Sequence, residues 1–280
     1  MKKSTAFIMS LIICGAFTGC GSSSNSITVI SREDGSGTRD AFTEITGVLA
    51  DDVDNTVSTA EISQSTSVVI SSVSGNQNAI GYISLGSLND DVKAVKIDGT
   101  EATAENVKSG SYAIARPFNI CTNHNQELSE ASADFISFIM SNDGQSVIEE
   151  DGYISIESGN EYTASNVSGK ITVAGSTSVA PVMEKLADAY CEINSDVTIE
   201  VQQTGSSAGI QSTIEGVCDI GMASREFKDS ELSEGLENIT IAMDGIAVII
   251  NNENSVENLT MEQVKQIYTG EITDWNGLSE

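Results

Sequence analysis

Apolar residues along the chain fall into short continuous runs that alternate with stretches of helical spacing, the pattern of an α/β protein built from βα units. The runs predict strands over 27–31, 79–84, 92–97, 114–120, 170–174, 197–203, 219–223 and 239–250. Helical spacing predicts helices over 37–46, 61–74, 103–108, 129–150, 178–194, 207–216 and 260–268. The pattern is clearest in 178–194, where Val179, Val182, Met183, Leu186, Ala189, Tyr190 and Ile193 share one face. It is weakest in 61–74, whose Ser, Thr and Val residues have poor intrinsic helix propensity. Residues 157–169 (ESGNEYTASNVSG) are polar and aperiodic and read as a linker or long surface loop between two parts of similar length.

The first apolar run is of a different kind. Lys2 and Lys3 precede a stretch from Ala6 to Phe17 that is too short for a permanent membrane span and suits the hydrophobic region of a signal peptide. The chain is therefore expected to be exported. The run closes on Phe17-Thr18-Gly19-Cys20, which resembles the bacterial lipoprotein signal, in which the Cys takes the lipid and becomes the new N-terminus. On this reading 1–19 are signal peptide, Cys20 is lipidated and tethers the chain to the outer face of the cytoplasmic membrane, and 20–26 form a flexible Ser/Gly tether.

Composition narrows the chemistry. The chain has 280 residues, 13 basic against 41 acidic, for a net charge of −28. That balance excludes a nucleic-acid binder working by phosphate neutralisation, which needs clustered basic residues. Removing residues 1–19 takes two of the 13 basic residues and none of the 41 acids, so the charge moves from −28 to −30. His124 is the single histidine, which leaves little room for His-based catalysis. Cys121, Cys191 and Cys218 remain after Cys14 and Cys20 are set aside; an odd number permits at most one internal disulfide, and their spacing is not that of a metal site. Buried free thiols are the simpler expectation.

The informative features are three places where a strand runs into Gly, Ser and Thr and then into a helix: ITVISREDGSGTRDAF (27–42), ITVAGSTSVAPVMEKL (171–186) and VQQTGSSAGIQSTI (201–214). Each presents free backbone N–H groups and hydroxyls at the positive end of a helix dipole, a ready anion site. A single such segment is ordinary capping. Three in one chain, one of them carrying Arg32, point to a shared oxyanion pocket of mostly neutral donors with one guanidinium. None is a Walker motif, since no Lys follows the glycines, and none is a GxGxxG fingerprint. Asp34, two residues after Arg32, is placed to orient the guanidinium or to accept a hydrogen from the ligand. Protonated phosphate offers such a hydrogen and sulfate at neutral pH does not, so a buried acceptor favours phosphate.

The stretches ITVAGSTSVAPVMEKLADAY, QQTGSSAGIQ, DIGMASREFKDSEL, DGIAVIINNEN, LTMEQVKQIYTGEITDW, ITVISREDGSGTRDAF, AIGYISLGSL and ARPFNI cover nearly the whole chain after the signal. Together they resemble the phosphate-binding lipoproteins of bacterial high-affinity phosphate ABC importers, in their Firmicute form. One departure is the order. In that family the AGSTSVAP half comes first, whereas here the SREDGSGTRDAF half does, as in a circularly permuted chain whose ends lie at the former connection between Trp275 and Ile27.

The resemblance implies a two-lobed, type II periplasmic-binding-protein-like α/β fold with the ligand in the cleft between lobes. One lobe combines 27–116 with 251–280, the other is 117–250 including the linker 157–169, and the chain crosses near 112–121 and 246–254. A monomer or a swapped dimer would both accommodate the permuted order. The phosphate contacts implied are Arg32, Ser36, Gly37, Thr38, Thr177, Ser178 and Ser206, with Asp34 pairing Arg32. Ser224 stands where better-studied members place the Asp that accepts the ligand's hydrogen, so phosphate over sulfate selectivity is left open. Asp244 is an alternative acceptor, or a residue shaping the turn before 245–250. Arg225 would add positive charge or make a surface pair with Glu226 or Asp229.

The expected function is capture of inorganic phosphate, without cofactor or metal, for delivery to the permease subunits of an importer. A receptor for sulfate, molybdate or tungstate is the alternative. A secreted phosphatase fits less well, because His124 stands alone and no nucleophile–base pair or zinc set is apparent.

Overall fold

The computed structural model describes residues 25–157 and 160–278; the expected signal peptide over 1–19, Cys20 and most of the expected tether over 20–26 lie outside the described residues. One continuous path of strands organises the chain, in the order Val197–Gln203, Gly169–Gly175, Ile220–Ala223, Ala115–Asn123, Leu236–Asn251, Ala79–Ser84, Thr28–Arg32 and Glu61–Ser63. At each end the strands run parallel and are joined by helices, as βαβ units require. Buried on both faces, such strands are apolar without alternation, and all six residues of Ala79–Ser84 are buried.

The two ends have separate hydrophobic cores. Phe118, Ile120, Val173, Leu186, Tyr190 and Met222 belong to one. Phe42, Tyr82, Val248, Ile250 and Tyr268 belong to the other, where Phe42 and Tyr82 stack at 4.0 Å. The long strand Leu236–Asn251 pairs with Ala115–Asn123 through residue 245 and with Ala79–Ser84 from residue 246. Ile241 and Ala242 enter the first of these cores, Ile246 and Val248 the second. The change of core along this strand therefore falls between Ala242 and Ile246, earlier than a boundary at 250.

Several elements differ from the sequence expectation for local reasons. The segment 61–74 divides into the strand Glu61–Ser63 and the helix Thr66–Ser74, because the Ser65 side chain accepts the Val68 N–H and starts the helix there. The segment 129–150 is two helices, Glu130–Ile139 and Asn142–Glu150. Ser141 caps the second, and Gly144 permits the sharp join, since a Cβ at 144 would lie 2.2 Å from the Phe138 carbonyl oxygen. The run 92–97 splits into Val92–Ala94 and Lys96–Ile97, which pair with different partners.

The segment 160–168 has no regular element, as expected, yet it is seated on the protein. The Tyr162 ring meets Phe138 edge-on at 5.2 Å, and its hydroxyl donates to Asp134 at 2.6 Å. The two ends of the described chain also lie side by side: Ile27 N–H donates to the Thr273 carbonyl and Trp275 N–H to the Asn25 carbonyl, both at 2.9 Å. No helix among the described residues is long and apolar enough to cross a membrane.

Candidate functional site

The three Gly/Ser junctions converge where the two cores meet. The strand Thr28–Arg32 turns into the helix Gly37–Thr46, capped by Ser36, whose side chain accepts the Arg39 N–H. The strand Gly169–Gly175 leads through Ser176, Thr177 and Ser178 to the helix Ala180–Ile193, and the Ser176 hydroxyl accepts the Ser178 N–H at 3.2 Å. The strand Val197–Gln203 leads through Gly205 to the helix Ser206–Glu215. Thr38 and Ser178 then share a hydrogen bond of 2.9 Å between the two sides. The Ser207 N–H donates to the Gly35 carbonyl at 3.1 Å, again from one side to the other.

The Gly37 backbone approaches the serine hydroxyls of the other side closely. A Cβ there would lie 2.5 Å from the Ser206 hydroxyl and 2.9 Å from that of Ser224. Ser224 follows the strand Ile220–Ala223; its N–H donates to the Ser206 hydroxyl and its own hydroxyl accepts from Ser176 at 2.9 Å. Arg32, Ser36, Gly37, Thr38, Thr177, Ser178, Ser206 and Ser224 are thus all buried within one cluster.

Arg32 ends its strand with a side chain only 2% exposed. Its Nη2 donates to the Thr177 hydroxyl at 3.1 Å and its Nε to the Ser63 carbonyl. Its carboxylate partner is Glu33, not Asp34: Nε reaches Glu33 Oε2 at 2.8 Å and Nη2 reaches Oε1 at 2.7 Å, the two-pronged geometry that suits a guanidinium. Asp34 turns outward, 98% exposed, and pairs with Arg39 at 2.7 Å. Successive residues of the turn point to opposite sides, and the inward direction falls to position 33. Behind the strand, the Tyr82 hydroxyl accepts the Arg32 N–H and shares a hydrogen bond with Ser31; burial pushes the Tyr82 phenol up to about 12, so it stays protonated.

Asp244 lies neither in a turn nor in the hydroxyl cluster. It sits inside the strand Leu236–Asn251, where its carboxylate is gripped by Arg116 Nε and Nη2 at 3.2 and 3.1 Å and accepts from Ser84. Burial raises its carboxyl to about 6, against the pull of Arg116. Arg116 also donates to the Ser224 carbonyl at 3.1 Å, which ties this pair to the edge of the cluster.

Three residues of the neighbourhood carry no mark in the sequence reading. Thr66 begins the helix Thr66–Ser74 and joins Thr177 at 3.3 Å and Ser178 at 3.2 Å, making a fourth strand-to-helix junction at the site. Its signal was the Ser65-Thr66-Ser67 run, which lacks the glycine that marked the other three. Glu33 lies in SREDGSGTRDAF and Arg116 in ARPFNI, but their inward direction depends on tertiary packing.

The arrangement is suited to holding a small oxyanion by hydroxyls, helix N-termini and one guanidinium. It is not suited to acid–base chemistry: His124 is exposed, whereas these hydroxyls are buried, and no hydrogen bond joins them. Among the described residues no group of three or more His, Cys, Asp or Glu is placed to hold a metal. Cys121, Cys191 and Cys218 are free thiols, and burial pushes Cys121 up to about 12, far from a reactive thiolate.

A family model described as a PBP superfamily domain matches residues 13–143 and 160–279. The Phosphate-binding protein PstS 2 of Streptococcus agalactiae serotype V is 48% identical over 294 residues, covering 100% of both chains. A solved phosphate-binding protein of a phosphate ABC transporter from Streptococcus pneumoniae TIGR4 superposes with a TM-score of 0.72 at 49% identity, over 91% of this chain and 100% of that one. The Phosphate-binding protein PstS of Staphylococcus aureus strain USA300 is 36% identical over 122 residues, 41% of this chain and 37% of its own.

Proposed function

The chain belongs to the PBP superfamily and, within it, to the phosphate-binding proteins named PstS, and from that premise we propose that it captures inorganic phosphate outside the cytoplasm and delivers it to the permease of an ABC importer. The observation that carries the reading is the convergence of helix N-termini from both cores around one buried guanidinium.

The two cores act as lobes, connected by Ala115–Asn123 and Leu236–Asn251, which bend to open the cleft. Phosphate enters the open form and the lobes close on it. Arg32, Ser36, Gly37, Thr38, Thr177, Ser178, Ser206 and Ser224 hold the anion, and Thr66 joins them. Each hydroxyl-to-hydroxyl bond of the closed cluster is exchanged for a charge-assisted bond to the anion, roughly twice as strong as a neutral one. Glu33 fixes the guanidinium plane. No covalent step is involved.

The permuted order is supported by two observations. The ends of the described chain are adjacent, so the former connection could be cut without moving the elements on either side. The staphylococcal relative matches over only about two fifths of either chain, as a co-linear alignment must when two halves are exchanged. Cys20, outside the described residues, anchors the protein through its lipid to the outer face of the membrane. Calorimetric titration of the soluble chain with phosphate, repeated with sulfate as competitor across pH, tests the reading. Submicromolar phosphate binding that a large sulfate excess leaves in place is expected; preferential binding of sulfate would replace phosphate with another oxyanion.

A further inference from the structure

Immediately after Ser224 stands Arg225, whose side chain is only 5% exposed although it touches no residue assigned to the anion. Its Nη1 and Nη2 bind the Glu231 carboxylate at 2.9 and 2.8 Å, its Nη1 also donates to the Glu226 carbonyl, and its Nη2 donates to the Ser207 hydroxyl at 3.2 Å. Those partners stand on its own side of the cleft. Its Nε faces the other side, 2.9 Å from Asp40 Oδ2, an approach held by charge without the alignment of a hydrogen bond. Asp40 is 31% exposed and lies in the first turn of the helix Gly37–Thr46.

Ser207 and Asp40 therefore occupy the opening turns of the two helices that bring Ser206 and Thr38 to the site. One guanidinium, held in place by Glu231, ties those two turns together. The Arg225–Asp40 approach joins the lobes, so separating them breaks it, whereas the Glu231 and Ser207 contacts survive opening. A contact made in only one of two conformations shifts the balance between them by its whole net worth.

We infer that Arg225 is a positioning residue for phosphate retention: through Asp40 it latches the closed cleft and so sets how slowly the anion leaves. This rests on the phosphate reading above. The latch acts on the closed form, which phosphate also favours, so it changes release more than capture.

The test measures the dissociation constant of inorganic phosphate by calorimetry and its release rate by stopped flow for the wild type, Asp40→Asn, Arg225→Gln, the double variant and Arg225→Lys. Glu226→Gln serves as a control that makes the same charge change as Asp40→Asn without touching the bridge. Asp40→Asn and Arg225→Gln are each expected to weaken binding about tenfold, mostly through faster release, as close charge pairs across an interface do. The double variant is expected to be no weaker than Arg225→Gln, Arg225→Lys to recover part of the loss, and Glu226→Gln to stay within about twofold of wild type, as for surface substitutions away from such contacts. A wild-type release rate in Asp40→Asn, or fully additive losses in the double variant, overturns the latch while leaving the phosphate reading intact. A wild-type protein that takes up no phosphate overturns both.

Discussion

Thr38 and Ser178, 140 residues apart in sequence and anchored on different cores, share a buried hydrogen bond of 2.9 Å. Each sits at the opening of a helix, beside N–H groups that have no partner within their own helix. The bond thus marks the point where the positive ends of helices from both sides meet. A net charge of −28 does not prevent an anion from binding there, because global charge acts over the screening length while the pocket acts through oriented dipoles at contact.

Glu33 and Asp34 are distinguishable by experiment. Glu33→Gln removes the carboxylate that grips Arg32 and is expected to weaken phosphate binding by roughly 1.5–3 kcal/mol, the range for hydrogen bonds to charged groups. Asp34→Asn breaks only an exposed pair with Arg39 and is expected to change binding by less than about 1 kcal/mol. Calorimetry on the two variants decides it; equal losses would return the orienting role to Asp34.

Gly37→Ala tests the closeness of the two sides. Its Cβ would fall 2.5 Å from the Ser206 hydroxyl in the closed form, so closure is obstructed, while the open form, with the sides apart, is not. Phosphate affinity is expected to fall at least tenfold, a factor worth about 1.4 kcal/mol. The melting temperature without phosphate is expected to stay near that of wild type.

Thr66→Val keeps the shape of the side chain and removes the hydroxyl that Thr177 and Ser178 share. Leaving buried hydroxyls short of a partner costs about 1–3 kcal/mol. The measurable consequence is a weaker phosphate dissociation constant with circular dichroism unchanged.

These variants also separate what the amino-acid pattern discloses from what it hides. The junctions at 27–42, 171–186 and 201–214 are legible because glycine and serine interrupt an apolar run at the point where helical spacing begins. Thr66 is not, since its junction has no glycine and its helix is rich in Val and Ser, poor helix formers that packing nevertheless folds. Glu33 and Asp34 are alike in chemistry, and only the direction of the turn tells them apart. Arg116 and Asp244 meet across 128 residues by the pairing of two long strands, a relationship no local window contains.

Asp244 gives a pH signature of its own. With Arg116, Ser84 and Tyr153 around it, burial raises its folded carboxyl to about 6 from an ordinary 3.8. The folded state then holds the proton more tightly than the unfolded state. Its contribution to stability is full below the ordinary value and is lost as pH rises through about 6. Between these limits the wild type is expected to lose on the order of 1–3 kcal/mol relative to Asp244→Asn, at about 1.4 kcal/mol per pKa unit. Urea unfolding at a series of pH values measures the difference; a difference that rises with pH instead would mean that the Arg116 pair keeps the folded carboxylate ionised, and a constant one that the carboxyl titrates alike in both states.

The most direct test of the oxyanion site is the phosphate dissociation constant of the wild type beside Arg32→Ala, measured by calorimetry at neutral pH. Breaking a buried charge pair by removing one partner typically costs about 3–5 kcal/mol, so Arg32→Ala is expected to bind more than a hundredfold more weakly. Wild-type affinity in that variant would place the anion elsewhere and contradict the account.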